Sequence, residues 1–525
     1  MKHPSLKIAF GLASSALLAT ACNLTPLSGG SNPPPGGGGT PEAQYGPRDN
    51  FTDRYTLQEA IQQRGDTNTT LPVIQDWPRG EQKTLPGIHI WDTWAVRRLQ
   101  GQPAVINGYS LLIHLSVPDN VLPGKRHDIA QLRWSYGKDG KTWKLGGLLF
   151  PNQTGVVPGV VLGSRNWAGS AVIGRDGRLY VFYTASGKEG ENVNPTNAPF
   201  RVQQNDVAVN PGARAQSDTY DGYPRTGGIS YEQRIAVAYG PKIVAENDRV
   251  RLEGEWTHKI VLTADGKFYQ TQAQADVGPL NAFRDPWVFE DPKDGKIYML
   301  IEGNVGGAQK STQTCAPEDL GDAAFRGTLG ATPKEAPWYN ASIGLAAAVN
   351  DDLTNWELLP PLLTANCVNQ ELERPHFVFK DGKYYLFTAS HIGKAAPWPG
   401  LRFYEGLYGF VGDSLRGDYK PLNGSGLVLN TPDDNPYQQY SFDAVMGLQK
   451  NENPLVTSFV DYAGLGRTPI NDVGNFSPAD QLAKFGGTLA PSVEIKLEGA
   501  TTNIANYWNY GQVRRYSATP PTANR

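Results

Sequence analysis

The sequence predicts an all-β fold: a five-bladed β-propeller with a central funnel and long insertions between strands. Three observations predict it. Turn formers and aromatics are both abundant, with 59 Gly and 40 Pro beside 10% aromatic residues in 525. That composition suits many turns and half-buried strands better than a helical bundle. Next, three segments share one pattern: Asp176-Gly-Arg-Leu-Tyr-Val-Phe-Tyr, Asp294-Gly-Lys-Ile-Tyr-Met-Leu-Ile and Asp381-Gly-Lys-Tyr-Tyr-Leu-Phe-Thr. An Asp-Gly pair between an apolar run and a β-rich run is a strong hairpin signal, because both turn residues tolerate positive φ. Finally, Arg284 to Leu363 reads as four successive strands, Trp287–Glu290, Ile297–Glu302, Ile343–Val349 and Trp356–Leu362, which is the content of one propeller blade.

Taken in chain order, Lys2 and Lys7 precede an apolar run from Ile8 to Ala21 that ends at Cys22. A charged start and a short apolar run read as a secretory signal over 1–22, too short for a stable membrane span. The run resembles a bacterial lipoprotein signal, with Cys22 as the lipidated N-terminus, although Leu18 stands one place before the usual leucine. An ordinary cleaved signal is the alternative. Residues 23–44, with Pro33-Pro34-Pro35 and Gly36 to Gly39, form a linker that cannot pack. One folded domain is expected over 45–515, then a flexible tail over 516–525.

Within the domain the template gives five units, starting near Trp91, Trp167, Arg284, Glu373 and Phe442. Asp139-Gly-Lys-Thr-Trp143 and Asp352-Leu-Thr-Asn-Trp356 each lead into a later strand. The spacing of about 70 to 120 residues is too irregular for a short-repeat propeller and requires long insertions. A β-sandwich with coincidental Asp-Gly turns is the alternative.

Composition also excludes functions. Lys+Arg 48 against Asp+Glu 51 gives a net charge of -3, so no basic field exists to hold nucleic acid. Besides Cys22 the chain has Cys315 and Cys367. In an oxidising compartment two leftover cysteines pair, contributing roughly 4 kcal/mol in the chain-entropy model; two separate buried thiols are the alternative. No third Cys or nearby His gives metal-ligand spacing.

Residues at the start of each first strand face the shared funnel. There the sequence has Trp91-Asp92-Thr93-Trp94, Asn166-Trp167-Ala168-Gly169-Ser170, Arg284-Asp285-Pro286-Trp287 and Glu371-Leu372-Glu373-Arg374-Pro375-His376. A carboxylate heading an apolar strand costs desolvation unless it is paired or used. Singly, Asp92 reads as a turn residue, and Arg284-Asp285 and Glu373-Arg374 as structural ion pairs. His376 and His391 read as packed or surface residues, and Asp443 as structural. Three carboxylates converging from three blades, flanked by Trp, are instead what glycoside chemistry needs.

These motifs, with Phe289-Glu290-Asp291-Pro292 after Phe283-Arg284-Asp285-Pro286, resemble the levansucrase and inulosucrase family of bacterial fructosyltransferases, glycoside hydrolase family 68, over about residues 50 to 515. The Trp-Met-Asn-Asp-Pro type motif of the related invertase family is missing. The resemblance implies a sucrose-cleaving fructosyltransferase that makes levan-type fructan or fructo-oligosaccharides and releases glucose. Asp92 would be the nucleophile, Glu373 the acid/base and Asp285 the transition-state stabiliser, with the Asp92 and Glu373 carboxyls about 5–6 Å apart. Trp91, Trp167 and Arg284 would wall the fructosyl pocket. Glu371, Arg374, His391 and Lys394 would hold the leaving glucose or the acceptor, Tyr440 would hydrogen-bond Glu373, and Glu302 would support from behind. Burial of Glu373 is expected to keep its proton.

The cysteine pair resembles that of a Gram-negative subset whose disulfide replaces a calcium site, so no metal and no cofactor is expected. The expected partners are sucrose and sugar acceptors; the chain is expected to be a monomer, secreted or held at the envelope by lipid alone. Two departures stand out. Ala168 occupies the family's Ser position, where a hydroxyl bonds the nucleophile, unless Ser170 or a water substitutes; Asn166 replaces the usual Glu. A sucrose hydrolase on the same scaffold is the close alternative. A non-catalytic sugar-binding propeller is the distant one, favoured only by Ala168.

Overall fold

The computed structural model describes residues 51–128, 130–150, 165–187, 232–449 and 452–515, together with the backbone of four two-residue strands between 156 and 224. The signal over 1–22 with Cys22, the linker over 23–44 and the tail over 516–525 lie outside the described residues. Among the described residues no helix is long and apolar enough to cross a membrane.

Twenty strands form five antiparallel meanders of four. The first contains β1 (Ile88–Arg98), β2 (Ser110–Pro118), β3 (Gln131–Gly137) and β4 (Lys144–Leu148). The second contains β5 (Arg165–Ile173), β6 (Leu179–Ser186), β7 (Gln233–Tyr239) and β8 (Thr257–Leu262). The third contains β9 (Phe283–Glu290), β10 (Ile297–Asn304), β11 (Asn340–Val349) and β12 (Asp352–Asn366). The fourth contains β13 (Glu373–Lys380), β14 (Lys383–Ser390), β15 (Gly406–Gly412) and β16 (Leu427–Asn430). The fifth contains β17 (Gln439–Val445), β18 (Leu455–Val460), β19 (Pro491–Glu498) and β20 (Thr501–Tyr510).

All five expected unit starts fall in first strands, and the three Asp-Gly pairs turn β5 into β6, β9 into β10 and β13 into β14. Gly177, Gly295 and Gly382 there have φ of 75°, 71° and 76°, a conformation any Cβ would strain. The four strands expected between Arg284 and Leu363 are present, and all but β10 begin earlier. Pairing resumes beyond the Asp285-Pro286 break at Phe283 and Arg284, where apolar content gives no signal.

Apolar faces of successive meanders share cores. Trp94, Ile113, Ala171 and Val181 pack between the first and second; Phe182, Val237, Met299 and Ile301 between the second and third. Phe289, Leu300, Phe377 and Leu386 fill the next gap, and Phe387, Leu407, Phe442 and Val493 the one after. Ile90, Leu112, Val445 and Leu489 join the fifth meander to the first. The first strands touch in the same circular order: β1 against β5, β5 against β9, β9 against β13, β13 against β17 and β17 against β1.

A buried ion pair crosses the β1–β17 junction. Arg97 Nη2 donates to both Asp443 oxygens at 2.7 and 2.6 Å, bearing out Asp443 as structural. Burial opposes the Asp443 charge, but Arg97, then His376 and Arg374, hold its carboxyl below the usual range. Asp443→Ala strands a buried guanidinium, so we expect a loss of about 3–5 kcal/mol in urea unfolding, with the site carboxylates untouched.

Candidate active site

All five first strands break register at the same height: between Trp91 and Trp94, Trp167 and Gly169, Arg284 and Trp287, Glu373 and His376, and Tyr440 and Asp443. At four of these breaks a non-glycine residue has positive φ: Asp92 34°, Asp285 57°, Arg374 50° and Ser441 59°. Each such residue costs about 1–3 kcal/mol, and that strain concentrates at functional sites. The fifth equivalent position is Ala168. Glu373 therefore reaches the centre from one residue before its bulge, the place held by Trp91, Arg284 and Tyr440 on other strands. Asp92 and Asp285 are bulge residues themselves.

A cavity of about 820 Å³ opens above the bulges. Asp92, Asp285, Glu373, Arg284, Arg374, Trp91, Trp167, Ala168, His391 and Tyr440 line it, so nearly all the expected site residues converge. Glu302, Glu371 and Lys394 sit outside the lining.

Arg284 organises the carboxylates. Its Nη2 lies 2.7 Å from Glu373 Oε1, 2.8 Å from Glu302 Oε1 and 3.7 Å from Glu371 Oε1. Tyr440 donates its hydroxyl to Glu373 Oε2. Burial raises the Glu373 carboxyl, but Arg284, His391 and Tyr440 overcome it and hold it at about 2. This corrects the expectation that burial keeps its proton: the cations around Glu373 outweigh desolvation. Burial pushes Asp285 up to about 7 and Glu302 well above the usual range, against the pull of Arg284. Within the cluster, proton affinity is raised at Glu302 and Asp285 and lowered at Glu373. Burial also raises Asp92, which Arg374 and a hydrogen bond from Ser441 counteract while the Glu373 charge adds to the rise.

Two sets of ligand atoms lie within 4.8 Å of one another, Asp285–Glu302–Glu373 and Glu371–Glu373–His391. Arg284 already supplies positive charge to the first, and Lys394, paired with Glu371, to the second. Both sets are therefore matched to protein cations.

His391 stacks on Tyr440, with ring centroids 3.6 Å apart. Its Nδ1 lies 2.6 Å from Glu405 Oε2, and its Nε2 lies 3.7 Å from Glu373 Oε2. Desolvation opposes its charge, but Glu405 and then Glu373 raise it to about 9. Because the folded value exceeds the ordinary one, the imidazolium and its contribution are complete below about 6.5 and lost as pH rises through about 9. Glu405→Gln should therefore move the alkaline limb of the kcat/KM profile toward neutral pH. A pH–rate series on sucrose checks this.

Arg374 lines the cavity, but its guanidinium is engaged by β17 and β1 rather than free for the expected contact with glucose or acceptor. Nη1 donates to Ser441 O at 2.8 Å and Ser441 Oγ at 2.6 Å, and Nη2 to Thr93 O at 2.7 Å. Its backbone N–H donates to Asp285 Oδ2 at 3.1 Å. Ser170 Oγ is turned toward β9, where it accepts the Val288 N–H at 3.2 Å. His376 is packed, its Nε2 accepting the Ala444 N–H at 2.8 Å.

Sequence reasoning missed Arg126, His127, Glu405, Ser441 and Tyr462. Trp91 Nε1–H donates to His127 Nε2 at 3.1 Å, and Trp167 Nε1–H to His127 O at 2.8 Å. His127 is exposed at the surface, yet the protein packed around its ring, and then Arg126, lower it below its usual value, so the neutral ring can accept from Trp91. The Arg126 guanidinium lies 5.8 Å from the Trp91 ring and 3.6 Å from Asp461. A loop with Gly124-Lys125-Arg126-His127 between two apolar strands was the available signal, since site residues concentrate on such loops.

Cys315 and Cys367 form a disulfide with Cα atoms 5.7 Å apart, and Cys367 lies six residues before Glu373.

Comparison with known proteins identifies the family. The profile of the Levansucrase/Invertase family matches residues 45–514. A levansucrase from Rahnella aquatilis is 33% identical over 492 residues, covering 90% of this chain and 97% of its own. An extracellular sucrase from Zymomonas mobilis is 31% identical, covering 89% and 96%. The solved inulosucrase from Halalkalicoccus jeotgali bound to kestose is 41% identical, with a TM-score of 0.73 over 90% of this chain and 99% of its own. The chain belongs to the levansucrase/invertase family, glycoside hydrolase family 68.

Proposed function

We propose that this protein is a sucrose-cleaving fructosyltransferase that works by a retaining double displacement. The observation that carries the reading is Asp92, Asp285 and Glu373 meeting in one cavity with Trp91, Trp167 and Arg284. The five cores and the circular order of first strands support a five-bladed propeller around that cavity.

An Asp92 oxygen attacks the anomeric carbon of the fructosyl unit while the bond to the glucosyl oxygen breaks. That oxygen keeps the electron pair and takes a proton from Glu373, releasing glucose. Arg284, His391 and Tyr440 favour the ionised form of Glu373, and the raised carboxyls of Asp285 and Glu302 beside it are the source of the proton it donates. Asp285 and Trp91 hold the fructosyl ring as oxocarbenium character develops. In the second half an acceptor hydroxyl gives its proton to Glu373 and attacks the same carbon, expelling Asp92, and that proton returns to the cluster to restore the starting state. With a fructosyl acceptor the product is levan-type fructan or a fructo-oligosaccharide. We further propose export, with lipid attachment at Cys22 and residues 23–44 as the tether.

The test is incubation of residues 45–525 with sucrose and quantification of free glucose and free fructose. Glucose well in excess of fructose supports transfer to sugars. Equal amounts mean a hydrolase, and no release rejects the reading.

A further inference from the structure

Ser441 occupies on β17 the bulge position that Asp92 occupies on β1, and it is 2% exposed. Its hydroxyl oxygen accepts from Arg374 Nη1 at 2.6 Å, and its carbonyl oxygen accepts from the same nitrogen at 2.8 Å. A hydroxyl has one proton, and an oxygen that accepts from a guanidinium keeps that proton for another partner. The partner is the Asp92 carboxylate. The same Arg374 clamps the backbone just after Asp92 through Thr93 O at 2.7 Å. One guanidinium thus fixes both the main chain that carries Asp92 and the hydroxyl that touches its carboxylate.

Nearby hydroxyls have other neighbours. Thr93 Oγ1 bonds His114 Nδ1 at 2.8 Å, Ser170 Oγ accepts from Val288, and Thr184 Oγ1 lies between Ala168 O and the Asp285 N–H, 3.0 Å from each. The equivalent bulge position on β5, the strand paired with β1, is Ala168, which lines the cavity with a methyl group.

We infer that Ser441 is the positioning residue of the Asp92 carboxylate, holding one oxygen so that the other faces the fructosyl carbon, and that Ala168, at the equivalent position of β5, has no donor to share this task. The inference rests on Asp92 as nucleophile. It also gives Arg374 a role through Ser441 rather than through sugar. A hydrogen bond to the ionised form stabilises it, so losing the donor makes Asp92 harder to ionise. The other charged groups facing Asp92 are Arg374, Glu373, Arg126, Asp285 and Asp461; none is altered by the variants below.

Ser441→Ala and Ser441→Gly are the first variants, since glycine relieves the positive φ that alanine strains. Both should lower kcat about 10–100-fold with little change in KM, and shift the acid limb of kcat/KM to higher pH. Adding Ala168→Ser should recover rate and return the acid limb. Ala168→Ser should therefore be worth more in the Ser441→Ala background than in the parent, a coupling read from the double-mutant cycle. A merely structural Ser441 would lower the melting temperature of Ser441→Ala, leave the acid limb in place and show no coupling to position 168; that result overturns the inference. Asp92→Asn in parallel separates the two levels. If it is inactive while the Ser441 variants keep the parental acid limb, only this inference falls. If it turns over normally, the nucleophile reading falls as well.

Discussion

Asp92→Asn is expected to lower kcat by on the order of 10⁴–10⁶-fold while leaving sucrose binding and thermal stability nearly intact. The side chain keeps its shape and its carbonyl oxygen, so Ser441 retains an acceptor. What disappears is the charged oxygen able to bond to carbon. Stability should not suffer, because burial already disfavours the Asp92 charge, outweighing Arg374 and Ser441. A carboxyl whose folded value is raised loses folding free energy as pH climbs above its ordinary value, and a neutral amide escapes that loss. Sucrose calorimetry and a melting curve beside the rate assay separate this outcome from misfolding. A variant that melts early would place Asp92 among the structural ion pairs.

Glu373→Gln has the second largest expected effect, a loss of about 10²–10⁴ in kcat on sucrose, the range for removing a general acid/base. Its signature is dependence on the leaving group. With β-fructosyl fluoride, whose fluoride needs no proton to depart, the first step should keep most of its rate. Glu373 also raises Asp92 through like charge, so the neutral glutamine should move the acid limb of the fluoride reaction to lower pH. Equal losses on sucrose and on the fluoride would assign Glu373 to binding instead.

The fold was legible because its signals are local. Asp-Gly pairs with positive-φ glycines, apolar runs of strand length and a polar head before each first strand located all five meanders. The bulges were not legible. An alternating pattern assumes a regular pleat, and the break at Trp91/Trp94 appears only when β1 is paired with β2. That is why Asp92 and Glu373 looked equivalent as strand heads, although one is a bulge residue and the other precedes one. The carboxylates were found by their place in the pattern, but their proton affinities were not. Glu373 is set by Arg284 from β9, by Tyr440 from β17 and by His391 after β14, partners far apart in the chain. Glu405 and Ser441 were invisible for the same reason: each acts through a residue from another meander or loop, with nothing distinctive in its own neighbourhood. The ordered Trp91–His127–Trp167 wall needed the Arg126-His127 loop to fold over β1 and β5.

The most direct test of the double displacement is to capture its intermediate. Enzyme mixed with sucrose, quenched in acid within the first turnover and digested should yield a hexosyl increment on the peptide that carries Asp92, formed as fast as the first glucose is released. The Asp92→Asn variant should show none. An increment on the Asp285 or Glu373 peptide, or a burst of glucose with no labelled peptide at all, would contradict the account.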